Sequence, residues 1–233
     1  MLNNINTLYT AIGRFERKHN SCGHSCPVIM LGGKEYMVDM QEMVLWSILN
    51  WRIVRKQEIG SLYEEMTRKS GAPVSRSWDA CVERLLVRGL VVSGSGETEY
   101  DALYDLVSSL YIIPTDASFL LRLAAFLKLV LISHVPFSAA GKLFRKDRRT
   151  SSEKEVMHLA RQALLSTAEI IKCLERNIHC LPDENSIMDR LYDDCDTTSD
   201  NISSLMKSSP CTRDITLAVA NLYLRQQIIF ERI

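Results

Sequence analysis

The chain has 233 residues, 46% hydrophobic and 24% charged, the balance of a globular protein of one large or two small domains. Its 28 basic residues are matched by 28 acidic ones, so no global field draws it to nucleic acid or to an anionic membrane surface. Seven Cys, behind an N-terminus with no basic stretch leading into an apolar core, argue for free thiols in a reducing cytoplasm rather than a secreted disulfide framework.

Ile5, Leu8, Ile12 and Phe15 stand at helical spacing and predict a short amphipathic helix. Val28–Leu31 and Glu35–Val38, two apolar runs around Gly32-Gly33, predict a β-hairpin. Between them His19, Cys22, His24 and Cys26 invite a zinc reading. No second ligand pair follows downstream at a matching spacing, so no metal is expected.

Asp39 caps the next helix, with Met40, Met43, Val44, Ile48 and Trp51 as its apolar stripe. A second helix over about 57–69 buries Ile59, Leu62, Tyr63 and Met66, and Ser70-Gly71-Ala72-Pro73 stops it. A third begins near Ser75, faces the core with Trp78, Cys81 or Val82, and Leu85, and closes at Arg88-Gly89. Leu90–Ser93 then reads as a strand, Gly94-Ser95-Gly96 as a tight turn and Glu97–Tyr100 as a return strand. Another helix runs from about Asp101 to before Pro114.

Three helices followed by a hairpin, with Val82-Glu83-Arg84-Leu85-Leu86-Val87-Arg88-Gly89-Leu90-Val91 at the junction, resemble the winged helix-turn-helix family over roughly residues 28–112. The resemblance implies a recognition helix at about 75–88 that enters the DNA major groove. Arg76 would then read a guanine edge or hold phosphate, and Ser75 and Ser77 would hold phosphate. Arg52, Arg55, Lys56, Arg68 and Lys69 would clamp the DNA backbone. Against this, Asp79 and Glu83 lie on the same helix, and the wing carries Glu97 and Glu99 but no cation. Winged helices also dock proteins, which makes a non-catalytic protein-interaction module the alternative.

The second half reads as helical. Phe119–Val135 is apolar but interrupted by Arg122 and Lys128 and stopped by Pro136, which favours a core helix over a membrane span. Residues 138–152 form a polar connector in which Lys142, Arg145, Lys146, Arg148 and Arg149 would make an auxiliary phosphate clamp. Thr150 with Glu153, and Ser152 with Glu155, are capping-box pairs opening a near-continuous helical pattern to Leu174. Shorter helices are expected at 184–193 and 199–207, and a last one from Thr212, with Ile228-Ile229-Phe230 open to a strand. The acidic run Asp189, Asp193, Asp194, Asp196 and Asp200 lacks the glycine and the terminal glutamate of a calcium loop.

No period of 20–50 residues repeats. The expected fold is mainly α: an N-terminal helix and hairpin over 1–38, a winged helix-turn-helix over 39–114, and an all-helical region over 115–233. The apolar stripes of 119–132 and 156–174 would serve dimerisation. The expected function is a DNA-binding transcriptional regulator acting on double-stranded DNA as a homodimer in the cytoplasm, with no membrane partner. No catalytic motif appears, and no cofactor is expected.

Overall fold

The computed structural model describes residues 5–19, 25–70, 75–115, 149–194 and 196–232. Strand β1 (Asn6–Ala11) is the middle strand of an antiparallel sheet, between β5 (Val54–Arg55) and β6 (Val91–Gly96). Leu8 lies opposite Arg55 on one side and Gly94 on the other. Residues 8–12 are all buried, and a strand covered on both faces shows an apolar run rather than alternation. Thr7, Tyr9 and Thr10 also favour extended backbone. The helix expected here is therefore a strand. The chain continues into a second sheet of β2 (Arg14–His19), β3 (Ser25–Leu31) and β4 (Lys34–Met37), in which β3 and β4 turn at Gly32-Gly33 as the hairpin signal predicts.

Helix α1 (Met40–Leu49) starts on a capping box. The Glu42 N–H donates to Asp39 Oδ1 at 2.9 Å, and the Asp39 N–H donates to Glu42 Oε2 at 3.2 Å. Its buried face is Gln41, Glu42, Leu45, Trp46, Ile48 and Leu49, rotated from the expected stripe, and Met40 is exposed. Helices α2 (Lys56–Ser70) and α3 (Trp78–Val87) follow, with Ile59, Tyr63, Cys81, Val82 and Leu85 inside. Helix α3 ends at Gly89, whose φ of 69° is the left-handed value glycine adopts without strain.

No wing hairpin forms at Gly94-Ser95-Gly96. These residues remain in β6, and Thr98 caps α4 (Glu99–Val107) where the return strand is expected. The glycines serve close packing instead. A Cβ at Gly94 would sit 2.2 Å from the Leu106 backbone nitrogen, so only a bare backbone lets β6 lie against α4.

The second half is not all-helical. Strand β7 (Tyr111–Pro114) pairs antiparallel with β8 (Ile228–Glu231). The long helical pattern is broken into α5 (Ser151–Gln162) and α6 (Thr167–Glu175). Between them Leu165-Ser166 runs as a strand fragment: the Ile112 N–H donates to the Leu165 carbonyl at 2.9 Å, and Tyr111 bridges Ser166. Helices α7 (Glu184–Leu191), α8 (Ile202–Met206) and α9 (Thr212–Leu224) complete the order. Among the described residues the helices stand beside three small antiparallel sheets, so the fold is mixed α/β rather than mainly α. The apolar helix expected near 116–134 lies outside the described residues.

The two halves share one plan. Leu8 between Arg55 and Gly94 corresponds to Tyr111 between Ser166 and Glu231. The next bond matches as well: the Ile12 N–H donates to the Leu90 carbonyl, and the Thr115 N–H to the Gln227 carbonyl. Helices α1 and α5 open on equivalent capping boxes, Asp39/Glu42 and Thr150/Glu153. They bury the same positions, Leu45, Trp46, Ile48 and Leu49 against Val156, Met157, Leu159 and Ala160. Glu58 accepts from the Arg55 N–H at the start of α2, as Glu169 does from the Ser166 N–H at the start of α6. Helices α3 and α9 end identically: Gly89 and Leu90 donate back to Leu86 and Leu85, and Gln226 and Gln227 to Tyr223 and Leu222. Each unit thus takes its middle strand from its own N-terminal end.

The units are joined through one continuous core. Tyr223, buried in α9, donates its hydroxyl to the Ala11 carbonyl at 2.9 Å and accepts the Trp51 N–H at 2.9 Å, with the Thr10 hydroxyl 2.8 Å away.

Candidate functional site

With Cys81, Val82 and Leu85 inside, α3 turns Glu83, Arg84 and Val87 outward. Val87 is 89% exposed, the highest value among the large apolar side chains of the described residues. Ser77 caps the helix, its hydroxyl accepting the Ala80 N–H at 3.3 Å.

The segment leading into α3 is fastened to α1 by Gln41, which is buried. Its Oε1 accepts from the Ser75 N–H at 3.0 Å, the Ser75 hydroxyl at 2.6 Å and the Arg76 N–H at 3.2 Å. Its Nε2 donates to the Arg76 carbonyl at 3.2 Å and to the Tyr63 hydroxyl at 2.7 Å. Arg76 itself is paired with Asp39, and its other terminal nitrogen lies 3.9 Å from Glu42. The Asp39 contact raises the Arg76 pKa.

Glu42, only 2% exposed, sits at the centre of this cluster. It accepts from Arg84 Nε at 2.8 Å and from Arg88 Nη1 at 2.9 Å. A carboxylate is tolerated at that depth because several cations and its capping N–H surround it. Arg88 also bonds the Met37 carbonyl and lies 5.9 Å from the centre of the Tyr36 ring, tying the end of α3 to β4. Arg225 repeats this contact in the second unit, at 3.3 Å from the fully buried Glu153.

The other cations proposed for a phosphate clamp are mostly engaged within the chain. Lys56 pairs with Asp79 at 2.9 Å, Arg55 with Glu99, and Lys69 with Glu65 at 2.6 Å. Arg52 and Arg68 are exposed. Arg149 lies in the second unit, where its Nε donates to Gln227 Oε1 at 2.6 Å. Lys142, Arg145, Lys146 and Arg148 lie outside the described residues. The structure therefore brings Ser75, Arg76 and Ser77 together at the head of α3 and leaves Arg149 apart from them.

The acidic run is built into a clamp. Lys172, buried in α6, donates to Asp194 at 3.0 Å and to Thr197 Oγ1 at 2.7 Å, while Arg176 pairs with Asp193 and Asp194. The Thr197 and Lys172 hydrogen bonds hold the Asp194 carboxyl down at about 2. Among the described residues no group of three or more His, Cys, Asp or Glu is placed to hold a metal ion.

Gln41, Glu42, Arg84 and Arg88 are the residues that sequence reasoning misses. Local spacing marks the cap at Asp39 but does not reveal that Glu42 completes it and also meets cations more than forty positions away. No family model, curated protein or solved structure matches the chain. Among the described residues no helix is long and apolar enough to cross a membrane.

Proposed function

We propose that this chain is a cytoplasmic, non-catalytic protein-interaction module that docks a partner through the outer face of α3. The observation that carries the reading is the make-up of that face: Val87 projects from it, Glu83 and Arg84 flank it, and Lys56 and Arg76 beside its start are committed to Asp79 and Asp39. A DNA-reading helix needs uncommitted cations at that end and usually a positive footprint. An apolar residue rimmed by charges of both signs suits a protein surface better.

The helical stripe of 156–174, once a candidate dimer surface, supplies core residues of α5 and α6. DNA binding remains the competing reading, favoured by the sequence cluster Lys142–Arg149 and by exposed Arg52 and Arg68.

A photo-crosslinking residue placed at position 87 of the full chain tests the proposal in cells. Docking predicts one discrete protein adduct, whose purified partner binds the wild-type chain and loses affinity for Val87→Asp and Glu83→Lys. A nucleic-acid adduct, or a partner that binds both variants unchanged, would overturn it.

A further inference from the structure

We infer that the groove between the end of α1, the start of β2 and β8 docks an uncharged, proline-rich segment of a partner protein. The groove is partly open to solvent, and Phe15, Trp46, Trp51 and Ile229 give it a mainly apolar, aromatic lining. Arg14, the charged residue of that lining, is paired with Glu16 at 2.8 Å. Such a lining suits a neutral occupant rather than an ion.

Trp51 carries the inference through two independent features. Its backbone has φ of 54°, in the left-handed region where a bulky residue is an outlier and where glycine or asparagine usually follows a helix. Its indole Nε1–H is buried and has no hydrogen-bond partner. The fold thus keeps a strained Trp where glycine would sit without strain, and leaves its one polar side-chain atom unsatisfied. An indole N–H can only donate, so a ligand carbonyl that meets it gains a full hydrogen bond. No polar contact ties the ring, and χ2 of Trp is a broad torsion, so a modest turn presents the N–H to the groove.

The second unit closes the equivalent helix without these features. Counted from the caps Asp39 and Thr150, Trp46 and Trp51 correspond to Met157 and Gln162. Gln162 does not have a positive φ, and its amide is engaged, donating to the His179 carbonyl at 3.1 Å and accepting the Leu181 N–H at 2.8 Å. The shared plan therefore requires an aromatic side chain at neither position.

A proline-rich strand matches each element of the groove. In the polyproline II form it is extended before it binds, and its carbonyls make no internal hydrogen bonds. Its rings pack on aromatic faces, as such segments do in aromatic-lined grooves. Proline has no N–H, so those residues bring no donor that an apolar lining would leave unpaired. Ser47 and Asn50 stand on the same lining, and neither side chain has a partner among the described residues, so both are free to meet a second carbonyl.

Titration of the nitrogen-15-labelled full chain with capped decaproline, read by indole N–H resonances and by calorimetry, tests the inference. The Trp51 resonance, assigned by its loss in Trp51→Phe, should move downfield and saturate with a Kd at or below about 1 mM. A capped Gly-Ser decapeptide, equally uncharged but flexible, should not saturate it. Trp51→Phe keeps an aromatic ring without the N–H and should weaken decaproline binding by about tenfold or more. Asn50→Ala should weaken it by a smaller factor, and Lys154→Gln, on the exposed side of α5, should leave it unchanged. Circular dichroism checks the fold of each variant. Absence of a saturable Trp51 shift, or equal decaproline binding by well-folded Trp51→Phe, would overturn the site. Saturation by trimethyl-lysine amide but not by decaproline would also overturn it, in favour of an organic cation held by the aromatic faces. No residue of the outer α3 face lines the groove, so these results are separable from failure of the docking proposal.

Discussion

Replacing Glu42 by Gln removes the charge at the centre of the α1–α3 latch while keeping nearly the same shape. The carboxylate accepts from Arg84 and Arg88 and faces Arg76 at 3.9 Å, so the variant leaves three guanidiniums with Asp39 as their remaining acid in the cluster. Breaking a fully buried pair costs about 3–5 kcal/mol, and a hydrogen bond to a charged group contributes about 1.5–3 kcal/mol. Arg84 is 56% exposed at its side chain and regains water, whereas Arg88, at 26%, regains less. The amide oxygen also preserves one contact. The net expectation is a loss of about 3 kcal/mol.

Glu153→Gln provides the matched comparison in the second unit. Glu153 has one arginine partner, Arg225, 40% exposed and at the longer distance of 3.3 Å, so its loss should be about 1–2 kcal/mol. Urea unfolding followed by far-ultraviolet circular dichroism, with linear extrapolation to water, measures both. Equal losses, or a Glu42→Gln loss below about 0.5 kcal/mol, would refute the view that the buried carboxylate organises its arginines.

Three other perturbations probe the frame around the site. Tyr223→Phe strips the hydroxyl that serves Ala11 and Trp51 across the two units, and should lower unfolding free energy by about 2–4 kcal/mol in the same urea assay. Burial raises the Tyr223 pKa to about 12, so stability should fall as pH rises from the unfolded value of 10 through 12, with a tyrosine absorbance change near pH 12 at 295 nm missing from the Phe variant. Gly94→Ala would force a Cβ to 2.2 Å from the Leu106 nitrogen and should cost about 3 kcal/mol or prevent folding, read as a lower thermal midpoint or insoluble product. Asp194 is held at about 2 from 3.8, so its stabilising effect is present above 3.8 and is lost as pH falls through 2. The gap in thermal midpoint between wild type and Asp194→Asn should close over that window.

Signals that act within a few residues are legible in the sequence. The cap at Asp39, Thr150 with Glu153, the Gly32-Gly33 hairpin and the Gly89 reversal all read correctly because a cap or a turn is satisfied locally. Strand β1 does not read correctly, because its extended form is fixed by partners at Val54–Arg55 and Val91–Gly96, far along the chain. Gly94-Ser95-Gly96 has the composition of a turn, and only the approach of α4 reveals why the glycines are there. The break between α5 and α6 is hidden for a similar reason: the chain leaves the helix so that the Leu165 carbonyl accepts the Ile112 N–H and the Thr167 N–H donates to the Leu110 carbonyl.

The repeat of one unit is also invisible to a search for similar residues. The units preserve positions and bonds rather than identities, apart from small matches such as Glu58-Ile59 with Glu169-Ile170 and the Glu–Arg latch. At the candidate site, Ser75 and Arg76 stand ahead of the helix in which the spacing places them, since α3 opens at Trp78 with Ser77 as its cap. Their partner Gln41 cannot be found that way, because it reaches them from another helix.

The most direct test of protein docking against DNA reading is a binding selection from a random duplex pool on the full chain, followed by anisotropy titration of any enriched duplex across about 50–200 mM salt. Docking through the α3 face predicts no enriched motif, and only weak, sequence-independent binding with Kd of about 10⁻⁴–10⁻⁶ M at physiological salt. An enriched motif bound at or below about 10⁻⁸ M, with an affinity that Arg76→Ala lowers, would contradict it.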